Sequence, residues 1–137
     1  MKIRKFTGSP DDWRILHEIC FSCGSRIVKK SYKYLRFANN ISNAKFFCDI
    51  ADEDAFFAAI LNKTHVRLLD IAVRTKAQKK GLGQTLLQYE ITKFRSWGIR
   101  EMTFRTPMNE NAITWWRLLG AVTVGRKNED WEMRLRF

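Results

Sequence analysis

Apolar and polar residues alternate along this chain with a period that changes from one stretch to the next. Ile3-Arg4-Lys5-Phe6 predicts a short edge strand. Ser9-Pro10-Asp11-Asp12 reads as a helix start, with Ser9 as N-cap, Pro10 as the first helical residue and Asp12 as the acid three positions on. Trp13, Leu16, His17, Cys20 and Phe21 then recur at helical spacing as one expected buried stripe, ended by Gly24. Residues 25–37 read as a second helix, with Ile27, Val28, Tyr32 and Leu35 on one face. The aromatic-rich runs 45–50 and 56–61 flank the acidic turn Ala51-Asp52-Glu53-Asp54 and predict a hairpin. Residues 66–74 are almost continuously apolar, the pattern of a central strand covered on both faces. Residues 81–97 predict a helix with Leu86, Leu87, Ile91 and Phe94 inward and Gly98 as its stop. Met102 and Phe104 alternate with Thr103 and Arg105 in a strand closed by Pro107. A further helix from near Asn109 carries Ala112, Trp115, Trp116 and Leu119 on one stripe, and Val122, Val124, Trp131, Met133, Leu135 and Phe137 predict a final hairpin.

The order β-α-α-β-β-β-α-β-α-β-β assigns the chain to the mixed α/β class. It predicts a single domain over residues 1–137, built on a mixed, mostly antiparallel sheet flanked by helices. With 45% apolar residues, 7 Gly and 2 Pro, the composition excludes a disordered or low-complexity chain. No apolar run approaches the roughly 20 residues needed to cross a bilayer, and Met1-Lys2-Ile3-Arg4-Lys5 lacks the apolar centre of a signal peptide. A cytoplasmic protein with no membrane partner is expected. Cys20, Cys23 and Cys48 are odd in number, so free thiols are expected rather than a disulfide framework. His17, Cys20, Cys23 and Cys48 together could offer four zinc ligands, but Cys20 falls on the apolar stripe and no metal site is expected. His17 is expected as a core or capping residue, His65 as a turn residue, and the Asp52-Glu53-Asp54 turn as a solvated hairpin tip.

Charge changes the picture. Lys and Arg number 25 against 14 Asp and Glu, a net charge of +11, which favours an anionic partner such as nucleic acid, a phosphorylated cofactor or an acidic substrate. Two segments concentrate it. The predicted second helix carries Arg26, Lys29, Lys30, Lys33 and Arg36 with no acid among them. The turn Arg74-Thr75-Lys76-Ala77-Gln78-Lys79-Lys80-Gly81-Leu82-Gly83 leads from the central strand into a helix, where unpaired N–H groups and the helix dipole suit a phosphate. The alternative is that its glycines serve only the turn. It is neither a Walker loop nor a Gly-x-Gly-x-x-Gly fingerprint.

Leu69-Asp70-Ile71-Ala72-Val73 followed by Gln78-Lys79-Lys80-Gly81-Leu82-Gly83 resembles the central strand and the Gln/Arg-x-x-Gly-x-Gly/Ala loop of the GNAT N-acetyltransferases. Asn109-x-x-Ala112-x-x-Trp115-Trp116-x-x-x-Gly120 is similar to that family's Asn-x-x-Ala-x-x-Phe-Tyr-x-x-x-Gly-Phe stretch. The resemblance implies an acyl-CoA site, for acetyl-CoA or another acyl-CoA. Backbone N–H groups of Gln78, Lys79, Lys80, Gly81, Leu82, Gly83 and Gln84 would hold the pyrophosphate. The backbone of Ile71, Ala72 and Val73 would pair with the pantetheine arm, and Asn109 would meet it from the other side or act as a plain N-cap. In the family an amine attacks the thioester directly, with the N–H at the position of Val73 as oxyanion donor. For the base we choose Asp70, a carboxylate in an apolar strand whose partial burial should raise its pKa; the alternative is a structural Asp, and the Asp52-Glu53-Asp54 turn is a weaker candidate. Trp116 stands where the family usually has a tyrosine that protonates the leaving thiolate, and an indole is no acid, so either Tyr32, Tyr34, Tyr89 or water would serve instead, or the reaction differs, or the cofactor is bound without turnover.

In this family the first two helices wall the acceptor site, which would bring Lys29, Lys30, Tyr32 and Lys33 to the substrate and favour an anionic acceptor; the alternative is that the basic helix is only a solvated face. Other readings are a nucleic-acid-modifying protein similar to the phage Mom type, and a CoA- or nucleic-acid-binding module without turnover. A homodimer through the closing strand pair is a further option.

Overall fold

The computed structural model describes residues 1–22, 45–107 and 110–137. The expected helix over 25–37, with Lys29, Lys30, Tyr32 and Lys33, and also Cys23 and Asn109, lie outside the described residues. Strand β1 (Ile3–Lys5) is followed by α1 (Pro10–Ser22), then β2 (Phe46–Ala51), β3 (Ala55–Leu61) and β4 (His65–Val73). A 3₁₀ turn (Thr75–Ala77) leads into α2 (Leu82–Ser96), and β5 (Glu101–Pro107), α3 (Glu110–Leu118), β6 (Val122–Lys127) and β7 (Asp130–Arg136) complete the order. The seven strands form one sheet, β1-β2-β3-β4-β5-β7-β6, in which β4 and β5 are the parallel neighbours and every other pair is antiparallel.

Strand alternation divides the core into two layers. Phe56 and Ala58 of β3 face α1 with Cys48, Ile50 and Ala72. Phe57 and Ala59 face the opposite side with Leu86, Leu87, Ile91 and Phe94 of α2 and Trp116 of α3. β3 is therefore apolar throughout, since both of its faces are covered.

Helix α1 starts as its sequence dictates, with Ser9 Oγ accepting the Asp12 N–H at 3.1 Å. Its buried face is Asp12, Ile15, Leu16, Ile19 and Cys20, a stripe rotated from the expected one. His17 is exposed and stacks on Phe21 at 4.3 Å rather than entering the core. Asp12 is drawn inward because its carboxylate accepts the Thr7 N–H and hydroxyl, both at 2.7 Å, and pairs with Arg4 at 2.7 Å. Arg4 holds that carboxyl down at about 2.

Helix α2 carries an unexpected acid on its inward face. Glu90 is fully buried, with Lys93 Nζ 3.2 Å from its Oε2 and 2.7 Å from Asp49 Oδ2 of β2. Burial first, then the neighbouring Asp49 carboxylate, pushes the Glu90 carboxyl up to about 9. Lys93 also lies 4.6 Å from the Phe47 ring centre and 5.0 Å from that of Tyr89. Cys20 and Cys48 are buried free thiols. No helix among the described residues is long and apolar enough to cross a membrane.

Candidate active site

The site begins where the sheet divides. β4 and β5 pair only at His65/Glu101, Val66/Met102 and Arg67/Thr103. Beyond that rung β4 stays on β3 up to Val73, and β5 stays on β7 up to Pro107, so a cleft opens between two wings.

Register decides which backbone groups face the cleft. Arg74 donates its N–H to Asp54 O at 2.6 Å, which makes that rung a hydrogen-bonded pair. In an antiparallel ladder such pairs alternate, so Ala72 and Asp70 turn their N–H groups to β3 while Ile71 and Val73 turn theirs away, toward the cleft. The Gln78 side-chain amide donates to Val73 O at 2.9 Å, and Val73 N–H remains the open donor at the outer end of the strand. Leu69 is the extra residue of a bulge between the Ala59/Leu68 and Ala58/Asp70 rungs. The bulge leaves half-buried Asp70 on the same pleat as Ala72, the α1 side, while Ile71 and Val73 pack toward α2.

The loop after β4 is held from three sides. Arg74 bonds Asp54 Oδ1 at 3.1 Å, Glu18 Oε2 at 3.0 Å and Glu53 O at 3.1 Å, tying the hairpin tip and α1 to the strand end. The tip is thus an anchor for Arg74 and, through Glu53, for Arg4, rather than merely solvated. Arg74 in turn lowers the Glu18 pKa. Thr75 bonds Ser22 through its N–H at 3.2 Å and its hydroxyl. Arg74 is engaged here, whereas Lys76, Lys79 and Lys80 are exposed.

Lys79 (φ 64°) and Gly81 (φ 79°) take left-handed conformations that turn the chain into α2. Gly81 caps the helix without a side-chain bond, and the first helical bond is Thr85 N–H to Gly81 O at 2.9 Å. The N–H groups of Leu82, Gly83 and Gln84 precede it and have no intrahelical acceptor. A Cβ on Gly81 would meet nothing within 4 Å, so this terminus is open. A Cβ on Gly83 would lie 3.3 Å from Val73 Cγ2 and 4.0 Å from the Trp115 ring, which packs the helix start against the strand end. The donor set, two strand N–H groups in line with a basic, uncapped helix start, fits an extended cofactor bearing phosphates.

A family model for the acetyltransferase (GNAT) family matches residues 13–121. The chain belongs to the GNAT acetyltransferase family. No curated protein matches it in sequence. Among solved structures it is similar to the PaiA N-acetyltransferase from Thermoplasma acidophilum in complex with coenzyme A, at 18% identity and a TM-score of 0.77, with 100% of each chain covered. It is also similar to the ribosomal-protein-S18-alanine N-acetyltransferase from Escherichia coli, at 20% identity and a TM-score of 0.75, covering 98% of this chain and 94% of that one. An aminoglycoside 6'-N-acetyltransferase complexed with coenzyme A aligns at 15% identity and a TM-score of 0.72, over 99% and 97% of the two chains. This GNAT chain is thus an acetyltransferase, of a family whose acyl donor is acetyl-CoA.

Trp116 is buried at 6% exposure with its ring 4.0 Å from Phe104, so it serves the core of this GNAT domain; half-buried Trp115 stands beside Gly83. His65 opens β4 with Nε2 2.7 Å from Thr103 Oγ1 instead of sitting in a turn. A concavity of about 390 Å³ between Asp52, Asp54, Lys80 and Thr85 lies on the hairpin side of the loop, and its two carboxylates suit a phosphate poorly. Sequence reasoning missed the buried Asp49–Lys93–Glu90 cluster. Its signal was present: position 90 lies on the stripe of Leu86, Leu87 and Phe94, and Asp49 interrupts an apolar strand.

Proposed function

We propose that this protein transfers an acetyl group from acetyl-CoA to the amine of an acceptor that is anionic or carried on an anionic molecule. The observation that carries the reading is the line of donors formed by Ile71 and Val73 N–H and the uncapped start of α2. The N–H groups from Lys79 to Gln84, with Lys76, Lys79 and Lys80 around them, hold the pyrophosphate; Gln78, expected among these donors, gives its N–H to Thr75 O at 3.2 Å instead. Ile71 holds the pantetheine arm as a neighbouring strand would hold it, and leaves Val73 N–H for the acyl group. When bound, the cofactor supplies an acyl group activated as a thioester.

Val73 N–H donates to the acyl oxygen as negative charge builds on it, a fixed donor that needs no reorganisation. Asp70, half-buried on the α1 side of the cleft, takes the proton from the amine. Trp116 gives no proton, so water protonates the sulfur. The net charge of +11 supports the anionic acceptor, and the buried thiols of Cys20 and Cys48 fit a cytoplasmic setting.

Thermal unfolding with and without acetyl-CoA, at low and high salt, tests the cofactor site. At about 100 times its dissociation constant the ligand adds roughly 2.7 kcal/mol, a shift of several degrees. A shift that persists in high salt is expected; its absence would sink the reading.

A further inference from the structure

On the face of β5, β7 and β6 that α1 shares, no described helix covers the sheet, because α1 packs on β2, β3 and β4. Four arginines of β4, β5 and β7 stand there: Arg136 is paired with Glu101 at 3.6 Å, and the other three gather next to it. Arg67 of β4 and Arg134 of β7 flank Thr103 of β5 on one rung, roughly 10 Å apart, and Arg105 follows two residues on along β5 beside Glu132. Arg67 and Thr103 are also the last rung before the cleft opens, so the group lies at its closed end.

Glu132 is the one carboxylate bonded among these three. Arg67 grips it with Nη1 to Oε2 at 3.0 Å and Nη2 to Oε1 at 3.3 Å, and Arg105 Nε bonds Oε1 at 2.9 Å. Both of its oxygens are taken, which leaves the Arg105 Nη groups and the whole Arg134 guanidinium over. Arg134 makes no side-chain hydrogen bond among the described residues, and its Nε is buried without a partner. A buried guanidinium donor beside two further cations is costly to leave unpaired, and a planar fork of this kind matches an oxyanion. Arg67 and Arg105 are only 29% and 25% exposed, so they are held in position by Glu132 rather than spread in water.

We propose that Arg134, with Arg105 and Arg67, binds a carboxylate or phosphate group of the acceptor at the closed end of the cleft. This rests on the acyl-transfer reading and deepens it: Asp70 lies about three residues further along β4, roughly 10 Å away, so the acceptor carries its anionic group at a comparable distance from its amine. Polycationic amines should be rejected by the same arginines.

The direct test needs no turnover. Protein saturated with acetyl-CoA, which fills the phosphate loop, is titrated with inorganic phosphate or acetate at constant ionic strength, and the thermal midpoint is read. At least one of the two anions is expected to raise the midpoint by about 2 °C or more, and which one does so tells a phosphate from a carboxylate. Arg134→Gln should abolish that rise while leaving the acetyl-CoA shift intact, and Arg134→Lys should keep part of it. In turnover, 8-aminooctanoate or 6-aminohexyl phosphate, which can span that distance, should exceed octylamine or 6-aminohexanol at least ten-fold in kcat/KM. Arg134→Gln should raise KM for the member of each pair that carries the carboxylate or phosphate and leave that of the member without one unchanged. No anion-dependent shift in the wild type, or a shift retained in Arg134→Gln, overturns the proposal. If acetyl-CoA itself gives no shift, the acyl-transfer reading fails, and phosphate titration of wild type against Arg134→Gln still decides whether the arginines form an anion site.

Discussion

At Val73 and Ala72, two adjacent residues of similar character, the ladder assigns opposite duties. Ala72 N–H belongs to the β3 pairing, and Val73 N–H points into the cleft. Proline substitution separates them, because proline removes the donor. Ala72→Pro should cost about 3 kcal/mol or more by breaking a central ladder. Val73→Pro should leave stability within about 1 kcal/mol while lowering acetyl transfer at least ~100-fold. Chemical unfolding and a thiol-release assay on both variants check this, and equal destabilisation would mean the assigned register is wrong. The alternation of Ile71, Ala72 and Val73 was legible in the sequence as a buried strand. Which N–H groups it left over was not, since that depends on the Arg74–Asp54 rung formed with a residue 20 positions away.

Among the elements, α2 combines a legible stripe with an acid that the stripe hides. Leu86, Leu87, Ile91 and Phe94 are buried as their spacing predicts, and Glu90 is buried with them against Asp49 and Lys93. The folded carboxyl holds its proton up to about pH 9, while the unfolded group releases it near 4.5. Between those values the folded state binds more protons, so this group lowers stability as pH rises, by at most about 1.4 kcal/mol per pH unit. Glu90→Gln removes the dependence. Thermal midpoints between about pH 6 and pH 8.5 should fall less in the variant, with its advantage largest at the alkaline end; an unchanged slope would place the titration in another group. Helix α1 teaches the complementary lesson. Its cap was legible from Ser9 and Asp12, but its inward face was not, because Arg4 and Thr7 draw Asp12 toward the sheet and carry Ile15 and Ile19 inward in place of His17.

For the whole molecule, the charge of +11 is large enough to bring any polyanion to the surface, whether or not a nucleic-acid site exists. A labelled DNA duplex is expected to bind in about 20 mM salt and to be released by about 200 mM, with acetyl-CoA binding unaffected. Binding that survives the higher salt would favour a nucleic-acid acceptor over a small oxyanion. The edge strand β6, with Val122 and Val124 each 49% exposed, keeps its outer backbone groups unpaired among the described residues. By itself the sequence determined the local features: the cap at Ser9, the glycine-containing basic turn that opens α2 with unpaired N–H groups, and the apolar periods that assign strands and helices. These follow from interactions within a few residues, where side-chain type and spacing are sufficient. Only the tertiary structure decided that β4 and β5 part after one short ladder and that Arg67, Arg105 and Arg134 share one face at that point. Pairing between distant strands sets those neighbours, and a shift of one residue in register would turn every one of these side chains to the other side of the sheet.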